Sequence, residues 1–237
     1  MTSDAIKLEK KMSNIVASQL PFATAAALTK VAQKVMTDEK REMRTVFNKP
    51  TPYTMRALAI RPASKDDKII KSEVFFREFA GKGTPAYKYL MPNIKGGMRG
   101  AKRHERQLRA NGILQEPMLT APAKDAPLDS RGNISGAVYQ SILSEVGAAF
   151  YASGNQSMTK RSRKRKRVRG YYVAKKNGRA VGIRQRDGSQ NKRILNFIKP
   201  VAYRPRFDFY GVARKRVELS LESTFKYWLK RAIRTAR

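Results

Sequence analysis

The sequence predicts an α+β fold: an antiparallel sheet packed against long N- and C-terminal helices, with an irregular and partly helical insertion. Three observations predict it. Through 207–237, Ala213, Val217, Leu221, Phe225, Trp228, Leu229, Ala232 and Ala236 recur at three- and four-residue steps, the period of an amphipathic helix about seven turns long. Within 13–47, Leu20, Ala23, Ala27, Leu28, Val31 and Val35 repeat the pattern. The stretch YYVAKK, then Asn177-Gly178, then RAVGIRQ reads as two strands joined by a tight turn, since Asn-Gly tolerates the positive φ values of a type I′ hairpin.

In chain order, the first helix is predicted over 13–47 with a break near Pro21, and Asp38 to Arg44 extend it as a charged, solvent-facing surface. The prolines of NKPTPYT end it. Thr54 to Arg61 and Ile69 to Arg77 alternate apolar and polar residues around the turn chemistry of PASKDD, a hairpin with one greasy and one wet face. From Gly81 glycines and prolines dominate. A short helix is expected over Ala101–Ala110, an irregular connection to Asn133, and a helix over Ile134–Tyr151. A second turn at Asp187-Gly188 leads to RILNFIK, completing a three-stranded meander that feeds the last helix through Pro200 and Pro205. The predicted organisation is a helix and hairpin of the core domain at 1–79, an insertion arm at 80–168, and a meander and helix completing the core at 169–237.

Composition bounds the function. There are 51 Lys and Arg against 18 Asp and Glu, a formal charge of +33, so the chain will be drawn to polyanions or acidic protein surfaces. With 41% hydrophobic residues it can still bury a core. No cysteine is present, which removes disulfides, thiol nucleophiles and cysteine metal sites. The sole histidine, His104, lies in the charged run RGAKRHERQLR and is predicted to be a solvated helix residue. GKGTP and KGGMRG do not satisfy a Walker loop or a dinucleotide fingerprint, and Asp66-Asp67 lacks spaced carboxylate partners for a metal nuclease. The expectation is a protein without catalytic residues, metal or cofactor. MTSDAIKLEKK lacks the apolar centre of a signal peptide and no apolar run approaches membrane-spanning length, so the chain is expected to be made and kept in a cytoplasm-like compartment without a membrane anchor.

Binding is the class left. Thr159 to Gly170 holds Lys160, Arg161, Arg163, Lys164, Arg165, Lys166, Arg167 and Arg169, and like charges this dense predict a mobile loop. These eight are the candidate contacts to nucleic-acid phosphates or to an acidic neighbour that orders the loop in an assembly. Tyr151, Tyr171 and Tyr172 could stack on bases, against ordinary strand packing. KRSRKRKR also has the form of a nuclear localisation signal, although nothing else in the chain looks eukaryotic. In the arm, Tyr87, Tyr89, Leu90, Met91 and Pro92 are large side chains between Gly/Pro turns, candidate anchors for a subunit interface, against packing on their own domain.

The order REMRTVFNKPTPYTMRALAIRPASKDD, GKGTPAYKYLMPNIKGGMRGAKRHERQLRANGIL and RPRFDFYGVA, followed by a long final helix, resembles the phage minor tail protein Z and tail completion proteins of the head–tail junction. The likeness runs from about Gln19 to the C-terminus and is most specific at Phe47–Tyr53, Thr84–Gly97 and Phe207–Ala213. It implies a non-enzymatic virion protein made in the host bacterial cytoplasm, in which a sheet wraps against a long helix. It further implies a homo-oligomeric ring whose neighbours are portal, adaptor or tail tube and nozzle proteins, with the DNA passing through the channel. The alternative is a non-sequence-specific nucleic-acid-binding protein of genome organisation or packaging.

Overall fold

The computed structural model describes residues 12, 13, 15–79, 84–149 and 159–235. Tyr151, Ala236, Gly81 and the amino-terminal stretch 1–11 lie outside the described residues. Among them are seven α-helices and two antiparallel sheets, an α+β architecture with long N- and C-terminal helices. The chain divides into two compact units, one of residues 1–96 and 204–237 and the other of 97–203. The boundaries therefore fall elsewhere than at 79/80 and 168/169: the meander belongs with the segment before it, and the two sheets are separate.

In the first unit, a π-helical turn at Ile15–Gln19 leads into α1, Leu20–Val46. Pro21 sits in the first turn, where a missing N–H costs no hydrogen bond, so it begins the helix instead of breaking it. Phe47 turns extended, Lys49 takes φ 47°, and the helix stops. Thr51 caps a single turn, α2 (Pro52–Met55), by accepting from the Thr54 amide at 3.2 Å, in place of the strand start expected at Thr54. The hairpin is shorter than its alternation suggested: β1 (Leu58–Arg61) pairs with β2 (Glu73–Phe76), Leu58 opposite Phe76. Then come α3, Ala86–Lys95, and, after the second unit, α7, Phe209–Thr235, whose first turn is capped by Asp208 accepting from the Gly211 amide at 3.0 Å.

The long helices pack antiparallel on each other. From α1 come Ala23, Ala27, Val31, Ala32 and Val35; from α7 the buried residues are Ser220, Thr224 and Ala232. Small residues on both sides let the backbones approach, and the polar ones are satisfied: Lys34 Nζ donates to Thr224 Oγ1 at 2.9 Å, and Ser220 Oγ to its own helix at 2.8 Å. Arg216 pairs with Asp38 beside the seam. Beyond it Met43, Leu58, Phe76, Leu90 and Phe207 form an apolar cluster, with Phe207 edge-on to Phe47 at 5.6 Å and Phe76 at 6.5 Å.

The second unit contains α4 (Arg103–Ala110), β3 (Leu119–Pro122), α5 (Gly136–Glu145), α6 (Lys160–Val168), β4 (Arg169–Lys176), β5 (Arg179–Asp187) and β6 (Gln190–Ile198). Its sheet runs β3-β6-β5-β4. The meander forms as its turns predict, with Asn177 at φ 49° and Gly178 at φ 76°. β3 went unforeseen, because four residues ending in Pro122 carry little alternation; the edge position beside β6 tolerates the proline. Leu108, Ile142, Leu143, Tyr171, Ile183, Leu195 and Phe197 fill the core between one sheet face and helices α4 and α5. A two-way bridge, Gly97 to Tyr203 at 3.2 and 2.8 Å, joins the ends of the unit.

Candidate functional site

Three places in the described residues concentrate polar chemistry or exposed apolar surface. The first is the buried node around Glu105. Its carboxylate takes a forked pair from Arg99 (2.8 and 2.7 Å), the Lys102 amide at 2.6 Å, and both the amide (2.7 Å) and hydroxyl (2.9 Å) of Thr120. Burial alone would raise this carboxyl, but Arg99 and the two amides outweigh it and hold it at about 2. His104, expected in solvent, is buried: Nε2 lies 2.8 Å from Thr120 Oγ1 and the ring stacks on Tyr139 with centroids 4.0 Å apart. Because the Thr120 hydroxyl donates to Glu105, His104 Nε2 must be the donor, fixing the neutral tautomer. Burial brings its pKa down to about 4, against the pull of Glu105. Both Glu105 oxygens are fully engaged, so this node ties α4 to β3.

The second place is the basic surface of the 97–203 unit. Between Thr159 and Tyr203 sixteen Lys and Arg face one acidic residue, Asp187. The predicted mobile loop is the helix α6. Thr159 caps it, its hydroxyl 3.3 Å from the Ser162 amide, and Lys166 reaches the Glu145 carbonyl of α5. Glu145 also accepts from the Tyr171 amide at 2.6 Å, and the Gly188 amide donates to the Val168 carbonyl at 3.0 Å. Local repulsion is thus opposed by a cap at the first turn and by attachment of the last turn to α5 and the β5–β6 turn. Lys160, Arg161, Arg163, Lys164, Arg165, Arg167 and Arg169 are exposed and Lys166 half-buried. No residue of α6 is buried.

Beside α6, the sheet face turned from α4 and α5 carries residues that sequence reasoning did not single out. Tyr172 lies opposite Arg184, which lies opposite Arg193; Gly170 lies opposite Arg186, which lies opposite Asn191. The Arg186 guanidinium sits 4.5 Å from the Tyr172 ring centroid, and the Tyr172 hydroxyl donates to Asn191 Oδ1 at 3.2 Å. The signal was in the register set by the two turns, but bulges at Ala174/Lys175 and Ile183/Arg184 shift it by one residue. Tyr171 points the other way, into the core.

The third place is the outer surface of the helical pair. Tyr210 (59% exposed), Val217 (36%) and Leu221 (36%) run along one flank of α7, with Leu219 (67%) and Tyr227 (59%) elsewhere on it. The predicted apolar stripe is therefore only partly a core face. A groove of about 510 Å³ opens nearby, lined by Phe22, Ala26, Thr29, Pro62, Ala63 and Trp228. The expected anchors of the arm are placed differently. Leu90 and Pro92 are buried, Met91 is half-buried, and Tyr87 and Tyr89 pack on the Phe207 cluster, with Tyr89 Oη 2.9 Å from Thr54 Oγ1. Their bulk serves the chain's own core, because α3 folds back on β2 and Phe207 instead of extending as an arm.

Among the described residues no group of three or more His, Asp or Glu is arranged to hold a metal ion, and no helix is long and apolar enough to cross a membrane. The chain matches no family model, no curated protein and no solved structure.

Proposed function

We propose that this chain is a structural, non-enzymatic subunit of a tailed bacteriophage particle, a component of the head–tail junction that acts by assembling with copies of itself and with portal, adaptor or tail tube proteins. The observation that carries this reading is the open flank of α7. A helix of 27 residues, about 40 Å long at 1.5 Å per residue, buries Ser220, Thr224 and Ala232 and leaves Tyr210, Val217 and Leu221 facing water. A soluble monomer gains nothing from such a strip, whereas a neighbour in a ring would cover it. The likeness of Phe207–Ala213 to tail completion proteins supports the same reading, since that stretch supplies the cluster's central ring and the start of α7.

The test has two arms. Light scattering of the purified chain should show an oligomer of fixed size that persists in 1 M NaCl, and the Val217→Lys/Leu221→Lys variant should be a folded monomer, both residues being outside the core. Phage lacking the chain should yield heads and tails that fail to join, restored by the wild-type chain and not by the variant. A monomeric wild-type protein absent from purified particles would end the reading.

A further inference from the structure

We propose that the open face of the β4–β5–β6 sheet, together with the adjoining helix α6, binds the phosphate backbone of double-stranded DNA without sequence preference. The face is built around Arg184, Arg186 and Arg193; of the acidic residues near it, Asp187 is engaged by Lys192 at 2.6 Å and Arg169 at 3.7 Å, and Asp125, at the β6 edge, accepts from the Arg193 amide at 2.9 Å. Among the described residues no ion pair holds the guanidinium of Arg184 or Arg193. Side chains two apart on a strand share a face about 6.6 Å apart, so Arg184 and Arg186 present two guanidinium groups in a row, with Arg193 one strand away.

Helix α6 belongs to the same surface. Gly170 shares the face of Tyr172, and a Cβ built on it would lie 2.9 Å from Lys166 Cα. The missing side chain therefore lets the helix lie against this corner of the sheet. Seven of its nine residues are cationic and none is buried, so the fold gives this helix no apolar reason to be there. A polyanion laid along it would relieve the repulsion between those charges.

The chemistry separates DNA from an acidic protein. Tyr172, Arg184, Arg186, Asn191 and Arg193, around the small residues Ala174 and Gly182, provide cations and amides but no large apolar anchor in the middle of the patch. Protein interfaces depend on such anchors, while DNA interfaces are polar and strongly positive. It also separates duplex from single strand. Among the described residues of this face the one aromatic ring, Tyr172, carries the Arg186 guanidinium on one side and is tethered through its hydroxyl to Asn191, so it serves to hold a cation in place and not as a row of stacking platforms for unpaired bases. This inference does not rest on the assembly reading, because it concerns the purified chain in whatever oligomeric state it takes.

Fluorescence anisotropy of the full chain with a labelled duplex of about 30 base pairs, titrated from 50 to 400 mM NaCl, tests it. About six phosphate contacts predict a slope of log K against log salt near −5, a loss of about a thousandfold between 50 and 200 mM, and equal affinity for duplexes of unrelated sequence. Arg184→Gln/Arg193→Gln should weaken binding at least tenfold at 150 mM and flatten the slope by about 2. Arg214→Gln/Lys215→Gln, which removes the same charge from α7, should cost less than threefold. Should the double variant fail to fold by circular dichroism, the exposed Arg193→Gln alone is expected to flatten the slope by about 1. Equal losses from the sheet and α7 variants would overturn the assignment. So would tighter binding of a single strand of the same length. Failure of any duplex to bind at 50 mM NaCl would return this face to an acidic protein neighbour.

Discussion

Two buried carboxyl groups show how much a single position can differ from its neighbours. Glu39 on α1 is fully buried, and neither of its oxygens has a hydrogen-bond partner. Burial, followed by the nearby carboxylates of Glu42, Asp208 and Asp38, raises its pKa to about 8. Between about 4.5 and 8 the folded chain holds a proton that the unfolded chain has lost. Stability from this group therefore falls as pH rises through that window, by at most about 1.4 kcal/mol per pH unit. Glu39→Gln should raise the urea midpoint at pH 8 and leave it nearly unchanged at pH 4. Glu105 has the opposite sign: its folded pKa of about 2 lies below the unfolded value, so its contribution is complete above pH 4.5 and lost as pH falls towards 2. Glu105→Ala strands the Arg99 guanidinium and should cost about 3 kcal/mol by chemical denaturation at pH 7. At Gly182 the constraint is steric. A Cβ there would lie 2.3 Å from the Leu195 carbonyl oxygen, so Gly182→Ala should lower stability by about 1–3 kcal/mol.

At the scale of elements, packing overrode local preference in two helices. The apolar period of α7 was legible, but the buried seam is displaced from it because the alanines of α1 select small partners and turn the large side chains to the flank. Helix α6 is the reverse: charge density argued against order, and a capping threonine with two tertiary attachments supplied it. The Glu145 carboxylate adds to this, lying 3.9 Å from the Arg165 guanidinium of α6 while accepting from the Tyr171 amide of β4, the strand that follows the helix directly. Glu145→Ala should speed amide exchange across Lys160–Val168 by tenfold or more while exchange within α1 stays the same, as read by hydrogen–deuterium exchange mass spectrometry. The Asn177-Gly178 turn needed no such help, since its backbone angles belong to the dipeptide itself.

At the scale of the molecule, the 97–203 unit is one continuous stretch with its own core and with its two ends bridged at Gly97 and Tyr203. Expressed alone, it should give a dispersed amide NMR spectrum and one cooperative melt; a collapsed spectrum would show that its core is insufficient without the other unit. The sequence by itself determined the α+β class, the two long helices, the meander and its turns, and a charge that demands a polyanionic or acidic companion, because periodicity, turn chemistry and net charge are local or additive properties. Tertiary structure alone decided that the meander and the helical pair lie in different units, that His104 is buried on Thr120 and Tyr139, and that Leu90 serves the core. It also decided that Arg184, Arg186 and Arg193 share one face with Tyr172. Each of these depends on which residues distant in the chain come into contact, and two single-residue bulges are enough to move a side chain from one side of a sheet to the other.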